Sequence, residues 1–507
     1  MDTISEIYDV VIIGSGMGAL ACANILAQEG KHVIVLEKNR QIGGNLQVFS
    51  RGGAVFDTGV HYIGGLDHGQ VLYKLFRYFG IYDQLRLKRM NEDGFDRIHF
   101  KKENIYYHYG IGYDNFKNRL CDYFPDEKQA IEKYCSAIQS IVQKLPLAQL
   151  KDGDDMPAGI DFTLSAKDFI NGITDNKQLQ KVLSGNNALY AGSYRTPFYV
   201  HALVLHYYIE SSWRCVDGAS QIAKYMAREI KKHGGKVRNR AAVISGEFEN
   251  GKLVWVNLAN GEKIYGKHFI SNVHPAITID ILGEKRFKPA YVERIKNLKN
   301  TEAMFVLHIV LNENSFEYIN YNIFQVDGDD VWNLSATGPG WPSFYMVSVT
   351  PSYKNSRYAT GISVICGMDW KEVEPWFQTH NTVTNPGARG AAYAEFKKQR
   401  CEKVIDAIQF HFPDIRSKIK SYSCSTPLTQ RDYTASPYGS GYGIEKDASA
   451  PFKTMVHTKT SIPNLYLTGQ NITLHGVLGV SLSALATCFN LVDKTTVLEK
   501  INKRSNE

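Results

Sequence analysis

The chain has 507 residues, 44% hydrophobic and 21% charged, with 58 Lys+Arg against 51 Asp+Glu for a net charge of +7. That is ordinary globular composition for two to three domains, and it excludes a disordered chain, a collagen-like or coiled-coil fibre and a disulfide-held miniprotein. The small positive surplus suits an anionic membrane surface or a phosphorylated cofactor and implies no nucleic-acid partner.

The opening MDTISEIYDVV has neither a basic n-region nor an apolar h-region, so no signal peptide is expected. Residues 8–14 (YDVVIIG) are apolar except for Asp9 and predict a parallel strand buried on both faces. Residues 17–28, rich in Ala and Leu, predict a helix that stops near Gly30, and 31–37 (KHVIVLE) predict a second buried strand. Together they form one βαβ unit. Stretches 114–149 and 198–232 predict helix. Residues 237–256 predict two strands around Asn250-Gly251, Gly261 marks a turn, and 268–272 predict a strand. Further on, 303–311 and 358–366 predict strands, and 392–412 a helix. The turn-rich 379–391 predicts a mobile surface loop. Residues 463–468 predict a last strand and 476–493 a helix. The run 476–492 carries Ser481, Ser483, Thr487 and Asn490, so it is too short and polar for a membrane span. Eight cysteines without C-x-x-C spacing imply no metal site and no redox dithiol, and suit a reducing compartment. A cytoplasmic or peripherally membrane-associated protein is expected. For membrane contact, 370–377 (WKEVEPWF) and the basic 494–504 are the candidates.

Four motifs carry chemistry. Gly14-Ser15-Gly16-Met17-Gly18-Ala19 is a G-x-G-x-x-[G/A] turn between strand and helix. Gly14 allows the turn, Gly16 lets backbone approach a pyrophosphate, and Ala19 permits close helix–strand packing. The helix N-terminus then offers N–H groups to the phosphates. Glu37, closing the second strand, is placed to accept from a ribose diol and disfavours a 2′-phosphate. Gly43-Gly44-Asn45 again allows backbone to lie against a cofactor. In 56–64 (FDTGVHYIG), Asp57 can cap the turn, while His61 and Tyr62 are candidate proton donors. Near the end, Thr468-Gly469-Gln470-Asn471 leads to His475 and to a helix starting at Gly476, whose positive end would be aimed at whatever group sits above Gly469 and would stabilise negative charge on it.

These motifs resemble the large FAD-dependent superfamily of amine oxidases and phytoene desaturases. Within it, FDTGVHYIG (56–64), PFYVHALVLHYY (197–208) and TGQNITLHGVLG (468–479) resemble the retinol saturase and carotenoid isomerase branch, GGKVRNRAAV (234–243) and FISNVHP (269–275) resemble the superfamily's return to its FAD domain, and TPLTQRDYTASPYGSGYGI (426–444) resembles the segment before the last FAD motif. The resemblance implies an α/β, FAD-binding Rossmann-like domain from 1–75, 206–285 and 456–507. A discontinuous mixed-sheet and helical substrate domain would come from 76–205 and 286–455. It implies noncovalent FAD held by Gly14, Ser15, Gly16, Gly18, Ala19, Glu37, Lys38, Gly43, Gly44, Asn45, Gly59, Val60, Val243, Asn272, Gly469, Gln470, Gly476 and Val477. His61, Tyr62 and His475, with Asp432 and Tyr433 behind them, are the candidate acids.

The implied activity is an oxidoreductase on carbon–carbon double bonds of a hydrophobic polyene, retinoid, carotenoid or related lipid, by hydride exchange at flavin N5. The alternatives are a flavin amine oxidase and a non-catalytic prenyl- or lipid-binding escort protein of the same fold. No second intact dinucleotide motif is present. NAD(P)H would therefore visit only transiently, and the electron partner is left open.

Overall fold

The computed structural model describes residues 6–153, 158–328, 330–335 and 337–504. The first five residues of the leader reading and the outermost domain bounds, 1 and 507, lie outside them. A parallel sheet runs in the order Lys236–Arg238, Val33–Leu36, Ile7–Ile13, Lys263–Ser271, with Leu465–Leu467 beyond. The antiparallel hairpin Val243–Glu249 and Lys252–Leu258 joins the start of Lys263–Ser271.

The continuous apolar run of Ile7–Ile13 follows from burial on both faces. Val10 and Ile12 pack under helices Met17–Gln28, Ser220–Lys232 and Gly476–Cys488. Val11 and Ile13 pack against the hairpin and helix Pro275–Leu282. Alanines in the first helix let the closing helix come near enough for Cys488 Sγ to reach the Cys22 carbonyl at 3.8 Å.

A second, mostly antiparallel sheet has the order Ile419–Ser425, Ala303–Leu311, Gly361–Met368, Phe344–Ser348, Asn322–Val326, Asp96–Phe100, Ile105–Tyr109. Alternate residues part to its two faces, as the strand pleat requires. Phe305, Leu307 and Ile309 pack under helix Gly390–Ile408. Met304 and Val306 point the other way. Among the described residues, no helix is long and apolar enough to cross a membrane.

Several expectations need correction. Residues 198–232 are not one helix. Helix Phe198–Glu210 gives way to strand Ser212–Cys215, a left-handed Gly218 (φ 87°), and helix Ser220–Lys232. The break is imposed from outside: Asp57 accepts from Ala219 N–H at 2.7 Å and caps the second helix, and Arg214 is drawn into a buried network. The stretch 114–149 divides at Pro125 into helices Tyr113–Tyr123 and Lys128–Gln143. The loop 379–391 is anchored: Asn381 N–H donates to Asp432 at 2.8 Å, Val383 N–H donates to Tyr433 Oη at 3.1 Å, and Arg389 pairs with Asp432. Trp370 and Phe377 stack on Tyr438, at 4.7 and 5.8 Å between ring centres. Helix Lys494–Arg504 buries Val497, Leu498 and Ile501 and pairs Lys500 with Glu29.

Candidate functional site

The C-terminal ends of the parallel strands meet where the chain order reverses, between Ile7–Ile13 and Lys263–Ser271. Open α/β sheets take their ligands at such a place. Gly14 turns the chain at φ 89°. Asn272 follows the neighbouring strand, its N–H bonded to the Ile13 carbonyl at 2.9 Å. Its side chain sits among glycines. A Cβ on Gly16 would lie 2.6 Å from Asn272 Nδ2; Cβ atoms on Gly18 and Gly469 would lie 2.7 and 2.6 Å from Oδ1. Asn272 Oδ1 is buried and has no hydrogen-bond partner among the described residues. A buried amide atom left without a protein partner marks a place kept for a polar ligand.

Glu37 binds this turn together. Its carboxylate accepts from Ser15 N–H (3.1 Å), Ser15 Oγ–H (2.5 Å) and Asn39 N–H (2.8 Å), and Ser15 Oγ accepts from Gly43 N–H at 3.0 Å. Lys38 Nζ donates to the Asp432 carbonyl at 3.0 Å, and burial lowers its pKa. Asn39 donates to the Tyr433 carbonyl at 2.8 Å. Helix Pro427–Thr434 is thereby held as a roof over the cradle.

One cavity of about 430 Å³, within the ~300–1,000 Å³ range of small-molecule sites, joins most of the expected residues. Gly14, Ser15, Gly16, Gly18, Glu37, Lys38, Gly43, Gly44, Asn45, Gly59, Val60, His61, Tyr62, Val243, Asn272, Gly469, Gln470, Gly476 and Val477 all line it. Ala19 does not; it is fully buried beneath the turn. Nor does His475, which precedes the closing helix with its ring 4.8 Å from that of Tyr442. Asp432 is buried in ion pairs with Arg389 and Arg431, so it is structural, whereas Tyr433 reaches the wall.

Beyond Gly59 and Gly469 the cavity turns apolar. Met304, Val306, Phe344, Met346 and Ile365 form one side, and Ala188, Leu189 and Tyr208 also line it. None of these was singled out as a site residue by the sequence alone. Tyr442, between Gly441 and Gly443, was missed as well, though an aromatic held between two glycines was its available signal.

Tyr62 donates to Asp96 Oδ2 at 2.9 Å. Asp96 also accepts from Asn186 (3.1 Å) and Asn322 (2.9 Å), and Asn322 Oδ1 accepts from Arg214 at 2.7 Å. This buried chain fixes the segment carrying His61 against the second sheet.

Burial also sets the pH response. The imidazoles of His201, His308, His411 and His475 are pushed down to about 3, and those of His61, His206 and His274 to about 4. An unfolded histidine titrates near pH ~6.5. Each group therefore adds stability that is present above that pH and lost as pH falls toward its folded value. Asp57 and Asp96, raised to about 6, and Glu210, raised to about 7, act oppositely, losing their contribution as pH rises through those values. Histidines outnumber carboxyls, so the thermal midpoint is expected to fall steadily between neutrality and about pH 4.5. A flat profile over that range would contradict the burial.

Residues 20–489 match the family described as flavin containing amine oxidoreductase. The chain belongs to that family. This flavoenzyme is 28% identical to all-trans-retinol 13,14-reductase of Danio rerio, covering 96% of this chain and 86% of the relative. It is 28% identical to the Homo sapiens protein of the same name (95% and 85%). It is 24% identical to chloroplastic prolycopene isomerase of Daucus carota (95% and 79%). Among solved structures it is similar to an oxidoreductase from Methanosarcina mazei (TM-score 0.63, 15% identity, 95% and 99% covered). It is also similar to putrescine oxidase bound to putrescine (TM-score 0.62, 13% identity, 98% and 100% covered). Those structures share the fold: a Rossmann-like flavin-binding part with a mixed-sheet and helical substrate part. The flavoenzyme is an oxidoreductase with a flavin cofactor, and the cradle of glycines around the unpartnered Asn272 amide fits such a group.

Proposed function

We infer that the flavoenzyme holds FAD noncovalently and acts on a carbon–carbon double bond of a hydrophobic polyene, retinoid, carotenoid or related lipid. The observation that carries this reading is the change of lining along one cavity. A polar glycine cradle leads into a wall of Met304, Val306, Phe344, Met346 and Ile365 that bears no charge. A cationic amine would lack a carboxylate there, which favours a polyene over an amine. The intact cradle favours an enzyme over an escort protein. The names of the curated relatives point the same way.

In this reading the segments 1–75, 206–285 and 456–507 serve the cofactor and 76–205 with 286–455 serve the substrate. Gly14, Gly16 and Gly18 would hold the pyrophosphate with Asn272 Nδ2 as the side-chain donor beside them, and Glu37 the adenosine ribose. Val243 would meet the adenine, and Gly59, Val60, Gly469, Gln470, Gly476 and Val477 the ring. Bound there, the flavin supplies hydride exchange with the double bond. The positive end of helix Gly476–Cys488 favours negative charge beside it. His61 is uncharged at neutral pH and serves as wall and contact. Tyr62 orients its segment through Asp96.

The test is an anaerobic titration of the visible flavin band with NADH, then NADPH, then dithionite, followed by reoxidation with all-trans-retinol, other polyenes and enones. Reoxidation by polyenes supports the reading; bleaching by amines with no response to polyenes overturns it. A second check is Asn272→Asp. A fixed carboxylate among the phosphates is expected to weaken FAD binding by about 10–100-fold, read by isothermal titration.

A further inference from the structure

We propose that the hydroxyl of Tyr442 is the proton donor when a double bond is saturated in this cavity. The proposal rests on the polyene reading above. Tyr442 lines the cavity where its two halves join. On one side a Cβ at Gly441 would lie 3.6 Å from Met304, part of the apolar wall. On the other, a Cβ at Gly443 would lie 2.2 Å from Asn471 Oδ1 and 3.3 Å from Gln470 Nε2, beside the cofactor segment. The backbone is fixed at both ends: Tyr442 N–H donates to Thr301 Oγ1 at 3.0 Å, and Ile444 N–H to Asn471 Oδ1 at 2.9 Å. The ring leans on His475 at 4.8 Å and packs on Ala191, Met304 and Val306.

Elimination among the groups at this junction singles out the same hydroxyl. Tyr62 gives its proton to Asp96 at 2.9 Å, and Tyr208 points its own at the Tyr62 carbonyl at 3.4 Å. Tyr442 Oη makes no hydrogen bond to a described residue. His475 stands off the wall behind it, and burial leaves both His475 and His61 uncharged at neutral pH. Thr58 is committed to the Gln47 carbonyl at 2.9 Å.

Saturation adds one hydride, from the reduced flavin, to one alkene carbon and one proton to the other. The Oη–H bond of Tyr442 breaks, a C–H bond forms, and water returns the proton to the phenolate between turnovers. Burial raises the phenol pKa, so the proton is in place at any working pH. A carbon centre holding the electron pair is more basic than a phenolate, so the transfer runs toward carbon.

The experiment uses the FAD-loaded full chain with all-trans-retinol, reduced flavin and D₂O. N5–H of the reduced flavin exchanges with D₂O as the phenol does, so wild type is expected to deliver one deuterium to each alkene carbon, the one at the protonated carbon on a single face. Tyr442→Phe keeps the ring and its stack. It is expected to retain flavin and bind retinol within about threefold, read by fluorescence quenching. Its reoxidation by retinol should slow by about 10²–10⁴-fold, with loss of single-face labelling. Should Tyr442→Phe lose its flavin, trifluorotyrosine at 442 keeps ring and hydroxyl and changes only acidity; it must then alter the solvent isotope effect on reoxidation. Single-face labelling at undiminished rate in Tyr442→Phe, or an unaltered isotope effect, overturns the proposal and leaves the polyene reading standing. A wild type that no polyene reoxidises overturns that reading and this proposal with it.

Discussion

A Gly18→Val protein is expected to purify without its flavin. Even the first atom of a side chain at position 18 would stand 2.7 Å from Asn272 Oδ1, 3.0 Å from Gly469 Cα and 3.1 Å from Gly469 N. Two of those neighbours are backbone and cannot swing aside. Gly18 belongs to the first turn of the cofactor helix, and Gly469 to the segment after the last strand. Forcing them apart opens the cradle at its middle. Overpacking of this kind costs about 1–3 kcal/mol in a folded core. Here the strain falls on the two walls that hold the cofactor, so flavin occupancy should drop by about 100-fold, or some 2.7 kcal/mol. The flavin-to-protein absorbance ratio after desalting, with far-ultraviolet circular dichroism for the fold, reads the result. A fully yellow Gly18→Val protein would show that Gly469 does not face the first turn.

Arg214→Ala should give the largest loss of stability of any single change near the site. Arg214 is completely buried. Its guanidinium donates to the carbonyls of Val349, Ile319 and Tyr321 and to Asn322 Oδ1, tying strand Ser212–Cys215 to the start of Asn322–Val326. Removing it strands those acceptors and withdraws positive charge from buried Asp57 and Asp96. Each buried acceptor left without its donor costs about 1–3 kcal/mol, so orphaning several at once is expected to lower stability by at least about 3 kcal/mol. Arg214→Lys should recover little, because an ammonium has three donors and no planar fork. Urea denaturation midpoints for the three proteins test both statements. A midpoint unchanged in Arg214→Ala would sink the argument.

The cofactor half was legible because its signals are local. YDVVIIG reads as a doubly buried strand, the glycine turn and Glu37 follow it closely in the chain, and the closing segment carries its own signal in Thr468-Gly469-Gln470-Asn471 and the small residues after it. The substrate half was not, because its elements are specified by distant partners. Strand Asn322–Val326 pairs with Asp96–Phe100 across more than two hundred residues, and NIFQV and DRIHF carry no alternation that separates them from loop. Residues 212–215 have no strand signature; pairing with Ile63–Gly64 and Leu87–Arg89 creates one. His475 was expected at the site from its position before a helix; its ring lies 4.8 Å from that of Tyr442, and of the two it is Tyr442 that lines the cavity.

The parallel sheet has a consequence for how the protein is made. Its strands come from residues 7–36, 236–271 and 465–467, and the last contributes through Lys263–Ser271. During synthesis at ~5–20 residues per second, the first glycine turn is exposed long before Gly469 exists to close over it. For most of translation the nascent chain therefore carries half a pocket. The complete pocket can form only once nearly the whole chain has been made, when the closing helix packs on the first one.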